Sequence, residues 1–175
     1  MFRLKHTTLT PPLRQLAAVF VAFLAAACYE TTFEAIPVSA GVAVPGLVGP
    51  LNSNDGASAQ FTYVPATRDY RFSDRSADGR LRNGTARAMP IRGNIYALQV
   101  LFDGHRTYEI YFFQWADRRL TWMMPRGYSE LAETFDVTLD TSADMDIELE
   151  RLDGDPEDVL EFLRAHRELE FDKAY

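Results

Sequence analysis

Two strongly β-prone runs of similar length, joined by a short polar connection, constrain the fold of this chain more than any other feature. The runs are Ile95–Phe102 and Thr107–Phe113, and the four residues between them include Gly104. β-Branched and aromatic residues favour strands, and a connection of three to five residues that contains glycine is typical of a β-hairpin. The sequence therefore predicts an antiparallel hairpin here, with the remaining strands arranged around it.

Shorter β-prone runs on both sides extend this hairpin, and most of them alternate between apolar and polar residues as half-buried strands do. They lie at 61–63, 70–72, 120–124, 135–139 and 145–149. The dipeptide Asn83-Gly84 is a tight-turn signal among them. Successive hairpins make an antiparallel meander. The sequence therefore predicts a β-dominated α+β fold in which the meander forms a small barrel or a sandwich.

The C-terminal segment carries the signals of an amphipathic helix. Asp155 is suited to the N-cap and Pro156 to the first helical position. Apolar residues and one histidine then fall on a single helix face, at Val159, Phe162, Leu163, His166 and Leu169. A shorter helix is predicted over Tyr128–Thr134, between two of the strands.

The first 28 residues have the pattern of a secretory signal. Arg3, Lys5 and Arg14 are its only charged residues, and twelve apolar residues follow from Leu16 to Ala27. A run of this length suits the apolar region of a signal peptide, whereas a membrane-spanning helix needs about 20 residues. The pattern predicts that the protein is exported.

The sequence Leu24-Ala-Ala-Ala-Cys28 resembles the lipobox of bacterial lipoproteins, although Ala25 stands where leucine is usual. The resemblance implies cleavage before Cys28, lipid attachment to Cys28, and anchoring at the periplasmic face of the outer membrane, since Tyr29 is not the aspartate that retains such proteins at the inner membrane. Ala25 and Ala27 also fit ordinary signal peptidase, which would release a soluble protein. Cys28 is the only cysteine, and acylation would remove a reactive thiol from an oxidising compartment. Lipidation is therefore the preferred interpretation.

These patterns divide the chain into four regions. Residues 1–27 form a lipoprotein-type signal peptide, and residues 28–58 contain the anchor residue, a short linker and a Pro/Gly-rich first strand. An antiparallel β core spans 59–152, and the C-terminal helix and tail span 153–175.

The charge balance excludes one class of partner and suggests another. The chain after position 27 has 15 basic and 25 acidic residues, a net charge of −10, whereas nucleic-acid binding needs a basic surface. Arginine is nevertheless concentrated between 68 and 92, where guanidinium groups could hold an anionic protein or envelope component. The alternative is a solvated surface attracted to the acidic C-terminal third. The candidate patch consists of Arg68, Arg71, Arg75, Arg80, Arg82, Arg87 and Arg92.

Aromatic side chains in the second half of the central hairpin make a further candidate surface. They are Tyr108, Tyr111, Phe113 and Trp115, and they fall on both faces of the predicted strand. One aromatic face could be exposed for a ligand or a partner. The alternative is core packing, since a sheet covered on both faces has the same pattern.

Few residues after the signal segment can carry chemistry. His105 and His166 are the only histidines there, and no nucleophile motif, zinc-ligand spacing or phosphate loop is present. We therefore expect no metal, no cofactor and no catalytic residue. These features favour a non-enzymatic binding, scaffolding or assembly protein at the periplasmic membrane face. Two alternatives are a periplasmic cell-wall or glycan hydrolase that uses Asp/Glu pairs and a soluble periplasmic ligand carrier.

Overall fold

A computed structural model describes residues 29–52, 56–142 and 149–173, and in these residues the chain forms one eleven-stranded sheet and two α-helices. The strands are β1 Tyr29–Thr31, β2 Gly49–Asn52, β3 Ser58–Val64, β4 Asp69–Arg75, β5 Leu81–Arg92, β6 Ile95–Phe102, β7 Tyr108–Ala116, β8 Arg119–Pro125, β9 Thr138–Ser142, β10 Leu149–Asp153 and β11 Phe171–Lys173. The helices are α1 Tyr128–Thr134 and α2 Pro156–Ala165. The predicted β-dominated α+β class is confirmed.

The sheet is an antiparallel meander with one insertion. Its order is β2-β3-β4-β5-β6-β7-β1-β10-β9, and β8 pairs with β7 and with β11. All of these pairs are antiparallel except β1 with β10, which is parallel. One edge of β7 pairs with β6, while β1 and β8 share the other edge. The sheet is not closed, so a sandwich fits better than the barrel.

The central hairpin forms as the sequence predicts. β6 and β7 pair in a continuous register that places Leu98 opposite Tyr111. The alternating apolar and polar residues at 61–63 and 70–72 also lie in paired strands, where Phe61 on β3 is opposite Phe72 on β4. Helix α1 has the predicted bounds. Helix α2 begins at Pro156, and the Asp155 carboxylate accepts a hydrogen bond from the Glu157 N–H, as expected of an N-cap.

The turn predicted at Asn83-Gly84 is wrong, because both residues lie inside β5. The chain reverses instead at Ser76–Arg80, where the Gly79 N–H donates to the Ser76 carbonyl. Gly84 serves a different purpose: a Cβ atom there would collide with the Leu101 carbonyl and lie 2.9 Å from the Phe72 ring. Glycine therefore allows the neighbouring strands and the Phe72 ring to pack closely over this position.

Tyr29 is fully buried and begins a strand between β7 and β10, whereas the sequence predicts a short linker after Cys28. The described part of the chain therefore starts inside the core, and residues 29–31 belong to the sheet. The predictions for residues 1–28, including Cys28, lie outside the described residues, as does most of the strand expected at 145–149.

Both faces of the central strands are buried in separate apolar clusters. The first cluster includes Tyr70, Phe72, Leu98, Tyr111 and Phe113, and the second includes Tyr29, Ile110, Phe112, Phe162 and Leu163. The segment from residue 34 to residue 47 reaches both clusters. Ile36 packs in the second cluster, the Val42 N–H donates to Ala88 at the edge of β5, and Val44 packs in the first.

Candidate functional site

The seven arginines of the candidate patch do not form one surface. Arg82 and Arg87 point to opposite faces of β5, because Arg82 shares the side of Ala86 and Ala88 and Arg87 lies on the other side. Arg80 pairs with exposed Asp78, and Arg92 donates to the Arg167 carbonyl. Arg68 lies in the turn between β3 and β4, and its side chain donates to the Ser39 carbonyl.

Arg71 and Arg75 are the two members of the patch that are exposed and whose side chains have no ion pair or hydrogen bond to another described residue. They lie on the same face of β4, four residues apart, which separates their Cα atoms by about 13 Å. Their cross-strand neighbours are uncharged: Thr62 and Thr85 lie opposite Arg71, and Ser58 and the exposed Leu81 lie opposite Arg75. We call this surface the polar strand face, and it consists of Gln60, Thr62, Arg71, Ser73, Arg75, Asn83 and Thr85.

The aromatic candidates are not an exposed surface either. Tyr111 and Phe113 are fully buried in the first cluster, and Trp115 packs against it. Tyr108 is half-buried on the opposite face. The expectation of an exposed aromatic face is therefore wrong for Tyr111 and Phe113, because the middle of β7 is buried on both faces, whereas Tyr108 at the start of the strand lines an open cleft.

Arg87 lines a cleft formed by described residues. The cleft is small, about 100 Å³, and open to solvent on one side. Arg87 is 6% exposed and makes ion pairs with Glu34 and Asp69, the latter at 2.7 Å, while its Nη1 also donates to the Ile36 carbonyl at 2.7 Å. The polar residues around the cleft are Glu34, Asp69, Thr85, Arg87, Gln99 and Tyr108.

The electrostatics of this cleft are set by burial and by the two carboxylates. Burial lowers the pKa of the Arg87 guanidinium, and nearby Tyr108 opposes this shift. Burial raises the pKa of Asp69, against a hydrogen bond from the Thr67 side chain that lowers it. Arginine stays charged in proteins, so with both carboxylates ionised the cleft has a net charge of −1. Arg87 is therefore neutralised within the fold and is not available to an anionic partner.

Gln99 is the residue of the cleft that sequence reasoning missed. It is 4% exposed, and its Oε1 accepts a hydrogen bond of 2.8 Å from the Ile36 N–H. A backbone N–H can donate only to an oxygen, so this contact fixes the orientation of the amide. The sequence feature that could have indicated a buried polar role for Gln99 is its position as an amide side chain within the apolar run Ile95–Phe102.

His166 occupies a second buried polar pocket, on the same side of the sheet. It is fully buried between Phe112 and Phe162, its Nδ1 lies 2.9 Å from the Phe162 carbonyl, and its Nε2 lies 2.9 Å from the Tyr29 hydroxyl. A carbonyl only accepts, so Nδ1 carries the proton and Nε2 accepts from Tyr29. Burial lowers the pKa of His166 to about 4. This placement agrees with the position of His166 on the apolar face of the predicted C-terminal helix.

A third polar group lies at the margin of the first cluster. The group consists of two side-chain pairs. Asp74, which is 3% exposed, accepts a hydrogen bond of 3.1 Å from the Arg82 side chain, and Glu109 accepts one from the Tyr111 hydroxyl. Burial raises the pKa of Glu109, and the Tyr111 hydroxyl and the charge of Arg82 oppose the shift. These side chains bind one another and are not among the residues that line the cleft.

No protein-family model, curated protein or solved structure matches this chain. None of the helices in the described part of the chain has the length and apolar character needed to cross a membrane. Within residues 29–52, 56–142 and 149–173, no three His, Cys, Asp or Glu side chains come together as a group that could hold a metal ion.

Proposed function

We propose that this protein is an exported lipoprotein, anchored through Cys28 at the periplasmic face of the outer membrane, and that it acts there as a non-enzymatic binding or scaffolding protein. The signal-like segment and the lipobox-like sequence at Leu24–Cys28 support the anchor. The polar strand face supports the binding role, and it is the observation on which the functional part of the proposal rests.

The polar strand face suits an anionic partner. Arg71 and Arg75 are exposed there, and no side chain that points to this face from residues 71–75, or from the paired residues of β3 and β5, is acidic. The whole chain carries a net charge of −7, so this surface differs in sign from the protein around it. Guanidinium groups bind phosphate and carboxylate through two parallel hydrogen bonds. The partner we propose is an envelope component that carries such groups.

The position of Tyr29 adds a consequence for the anchor. A lipid on Cys28 would be attached one residue before a fully buried side chain, and adjacent Cα atoms are about 3.8 Å apart. The folded domain would then lie directly against the membrane surface, without a flexible linker. More than one acyl chain gives stable attachment at this distance from the bilayer.

Mass spectrometry of the membrane-bound protein tests the anchor. The expected result is a mature N-terminus at Cys28 that carries lipid, together with loss of membrane association in Cys28→Ala. An unmodified thiol at Cys28 in the membrane-free fraction, or a full-length chain with Met1 in the cytosol, would contradict the proposal.

Sedimentation with isolated cell walls and with phosphatidylglycerol vesicles tests the binding surface. Arg71→Glu together with Arg75→Glu should weaken binding to one of these anionic probes by about thirtyfold, because each arginine near such a surface contributes about 1 kcal/mol. The matched control is Arg118→Glu with Arg119→Glu, which makes the same charge change at two exposed positions, the last residue of the turn before β8 and the first residue of β8. Equal weakening by both pairs would indicate a response to net charge and would contradict a specific surface.

A glycan hydrolase is the second candidate function. It is favoured by one observation: Glu34 and Asp69 face the same open cleft, and burial raises the pKa of Asp69, as a general acid requires. Both carboxylates form ion pairs with Arg87, which fixes their positions at the cleft. Release of reducing ends from purified cell-wall glycan by the native chain, and its loss in Asp69→Asn, would establish this function in place of the first.

A further inference from the structure

We propose that the cleft above Arg87 binds a neutral, hydroxyl-bearing ligand, a sugar unit. This inference goes beyond the anchor and the anionic-partner surface, and it uses the cleft in which the second candidate function places Glu34 and Asp69; the cleft shares only Thr85 with the polar strand face. Four observations carry it: the size of the cleft, an unpartnered amide inside it, its charge, and the rigidity of the groups that line it.

The cleft accommodates part of a sugar ring and its hydroxyl groups. Its volume of about 100 Å³ corresponds to roughly three water molecules at about 30 Å³ each. It opens on one side, so the remainder of a ring or of a longer chain can extend into solvent. The open side borders the polar strand face, since Thr85 lines the cleft and also lies opposite Arg71.

The amide of Gln99 is the observation that points to a ligand. Its Oε1 is bound by the Ile36 N–H, whereas its Nε2 has no hydrogen-bond partner among the described residues. Nε2 is not among the fully buried atoms without a partner, because it reaches the open space of the cleft. A ligand there would accept from Nε2 in place of solvent. Gln99 as a whole residue is 4% exposed, and the cleft is the open space that it lines.

The remaining groups narrow the chemistry of the ligand. The Tyr108 and Thr85 hydroxyls and one Glu34 carboxylate oxygen also lack partners among the described residues. An anion would meet the net negative charge of Glu34 and Asp69 around Arg87. An ammonium group has only donors and could not accept from Gln99. A hydroxyl group both donates and accepts, so a neutral polyol satisfies the amide and the carboxylates together.

The lining side chains are held in place before any ligand arrives. Ile36 contributes its N–H to Gln99 and its carbonyl to Arg87, and the guanidinium in turn fixes both carboxylates. Gln99 and Arg87 lie directly opposite each other on β6 and β5. Side chains fixed in this way lose little conformational freedom on binding. The arrangement is therefore a preformed polar site on two central strands.

Nuclear magnetic resonance of the ¹⁵N-labelled full chain tests this proposal through the Gln99 side-chain amide. Glucose, galactose, mannose and N-acetylglucosamine are the sugar probes, and methylammonium and acetate are the cationic and anionic probes. We expect at least one sugar to shift the Gln99 amide signals in a saturable manner with a Kd of about 1 mM. Neither ion should do so.

Two variants locate the site, and a third serves as the control. Gln99→Glu keeps the acceptor for Ile36 and replaces the Nε2 donor, so we expect sugar affinity to fall by about tenfold. Tyr108→Phe removes one hydroxyl from a half-buried position, should fold normally, and should weaken binding by a fewfold. Gln114→Glu makes the matched substitution at a half-buried position of β7, outside the cleft and the polar strand face, and should bind the sugar as the native chain does.

Three results would overturn the proposal. They are no saturable shift with any of the four sugars, a saturable shift with methylammonium or acetate in their place, and sugar binding that is unchanged in Tyr108→Phe and Gln99→Glu. The lipid on Cys28 and the response to Arg71→Glu with Arg75→Glu are measured separately, so failure of this site is distinguishable from failure of the proposed function.

Discussion

The Arg87 cleft and the His166 pocket lie on the same side of the sheet, yet they use buried polar groups in opposite ways. His166 is neutral, and each ring nitrogen has one partner within the core. Arg87 is charged, its carboxylate partners reach solvent, and Gln99 beside it retains an unpartnered donor. A polar group whose hydrogen bonds are all made inside the protein stabilises the fold, whereas spare donors and acceptors around an opening can serve a ligand.

Removal of the Arg87 side chain should have the largest effect on stability of the changes that test this comparison. Arg87→Ala leaves Glu34 and Asp69 without their counter-charge and the Ile36 carbonyl without its donor. Breaking a buried ion pair from one side costs about 3–5 kcal/mol, and the partial exposure of both carboxylates places the expected loss at about 3–4 kcal/mol. The measurement is the free energy of unfolding in urea at neutral pH.

The control for Arg87 is another arginine of the same region. Arg71→Ala removes an exposed side chain without a partner among the described residues, and its effect should stay within about 0.5 kcal/mol. If Arg87→Ala were equally mild, the guanidinium would be as well hydrated as Arg71. The distinction between a buried charge cluster and a surface arginine would then fail.

The pH dependence of stability tests the His166 pocket. Its folded pKa of about 4 lies below the unfolded value of 6.5, so the folded state binds fewer protons than the unfolded state between these values. Stability from this group is complete above about pH 6.5 and falls as the pH decreases towards 4, by about 3 kcal/mol in total.

The difference between the native chain and His166→Gln isolates this effect. Burial raises the pKa of Glu109, and a raised carboxyl pKa changes stability in the opposite direction, because its contribution is lost as the pH rises. That contribution is common to both proteins and cancels in the comparison. Parallel pH profiles for the two proteins would mean that the pKa of His166 is the same in the folded and unfolded states, and the closed pocket would be wrong.

The fold was predictable where the local pattern and the tertiary environment agree. The hairpin of β6 and β7 and helix α2 follow from residue type, spacing and capping alone. Asn83-Gly84 was misread because glycine in a strand for close packing has the same sequence signature as glycine in a turn. The insertion of β1 between β7 and β10 was not predictable, since three residues pair with strands about 80 and 120 positions away.

The candidate site was predictable only in part, for a physical reason. Sequence composition identified a segment rich in arginine, but β5 places Arg82 and Arg87 on opposite faces, and each binds a carboxylate that the pattern did not indicate. Glu34 lies more than fifty residues from Arg87 in the chain. Ion pairs between residues far apart in the chain determine which arginine side chains remain without a partner, and these pairs cannot be predicted from spacing along the sequence.

The smallest effect comes from a single hydroxyl group in the His166 pocket. Tyr29→Phe retains the ring contacts with Phe112 and Phe162 but removes the donor to His166 Nε2. A buried acceptor left without its donor costs about 1–2 kcal/mol, measured as a shift in the urea midpoint at neutral pH. Tyr63→Phe is the control, because the half-buried Tyr63 hydroxyl has no hydrogen bond to a described residue. Equal midpoints for the two variants would mean that water reaches His166, and the pocket would then resemble the Arg87 cleft instead of contrasting with it.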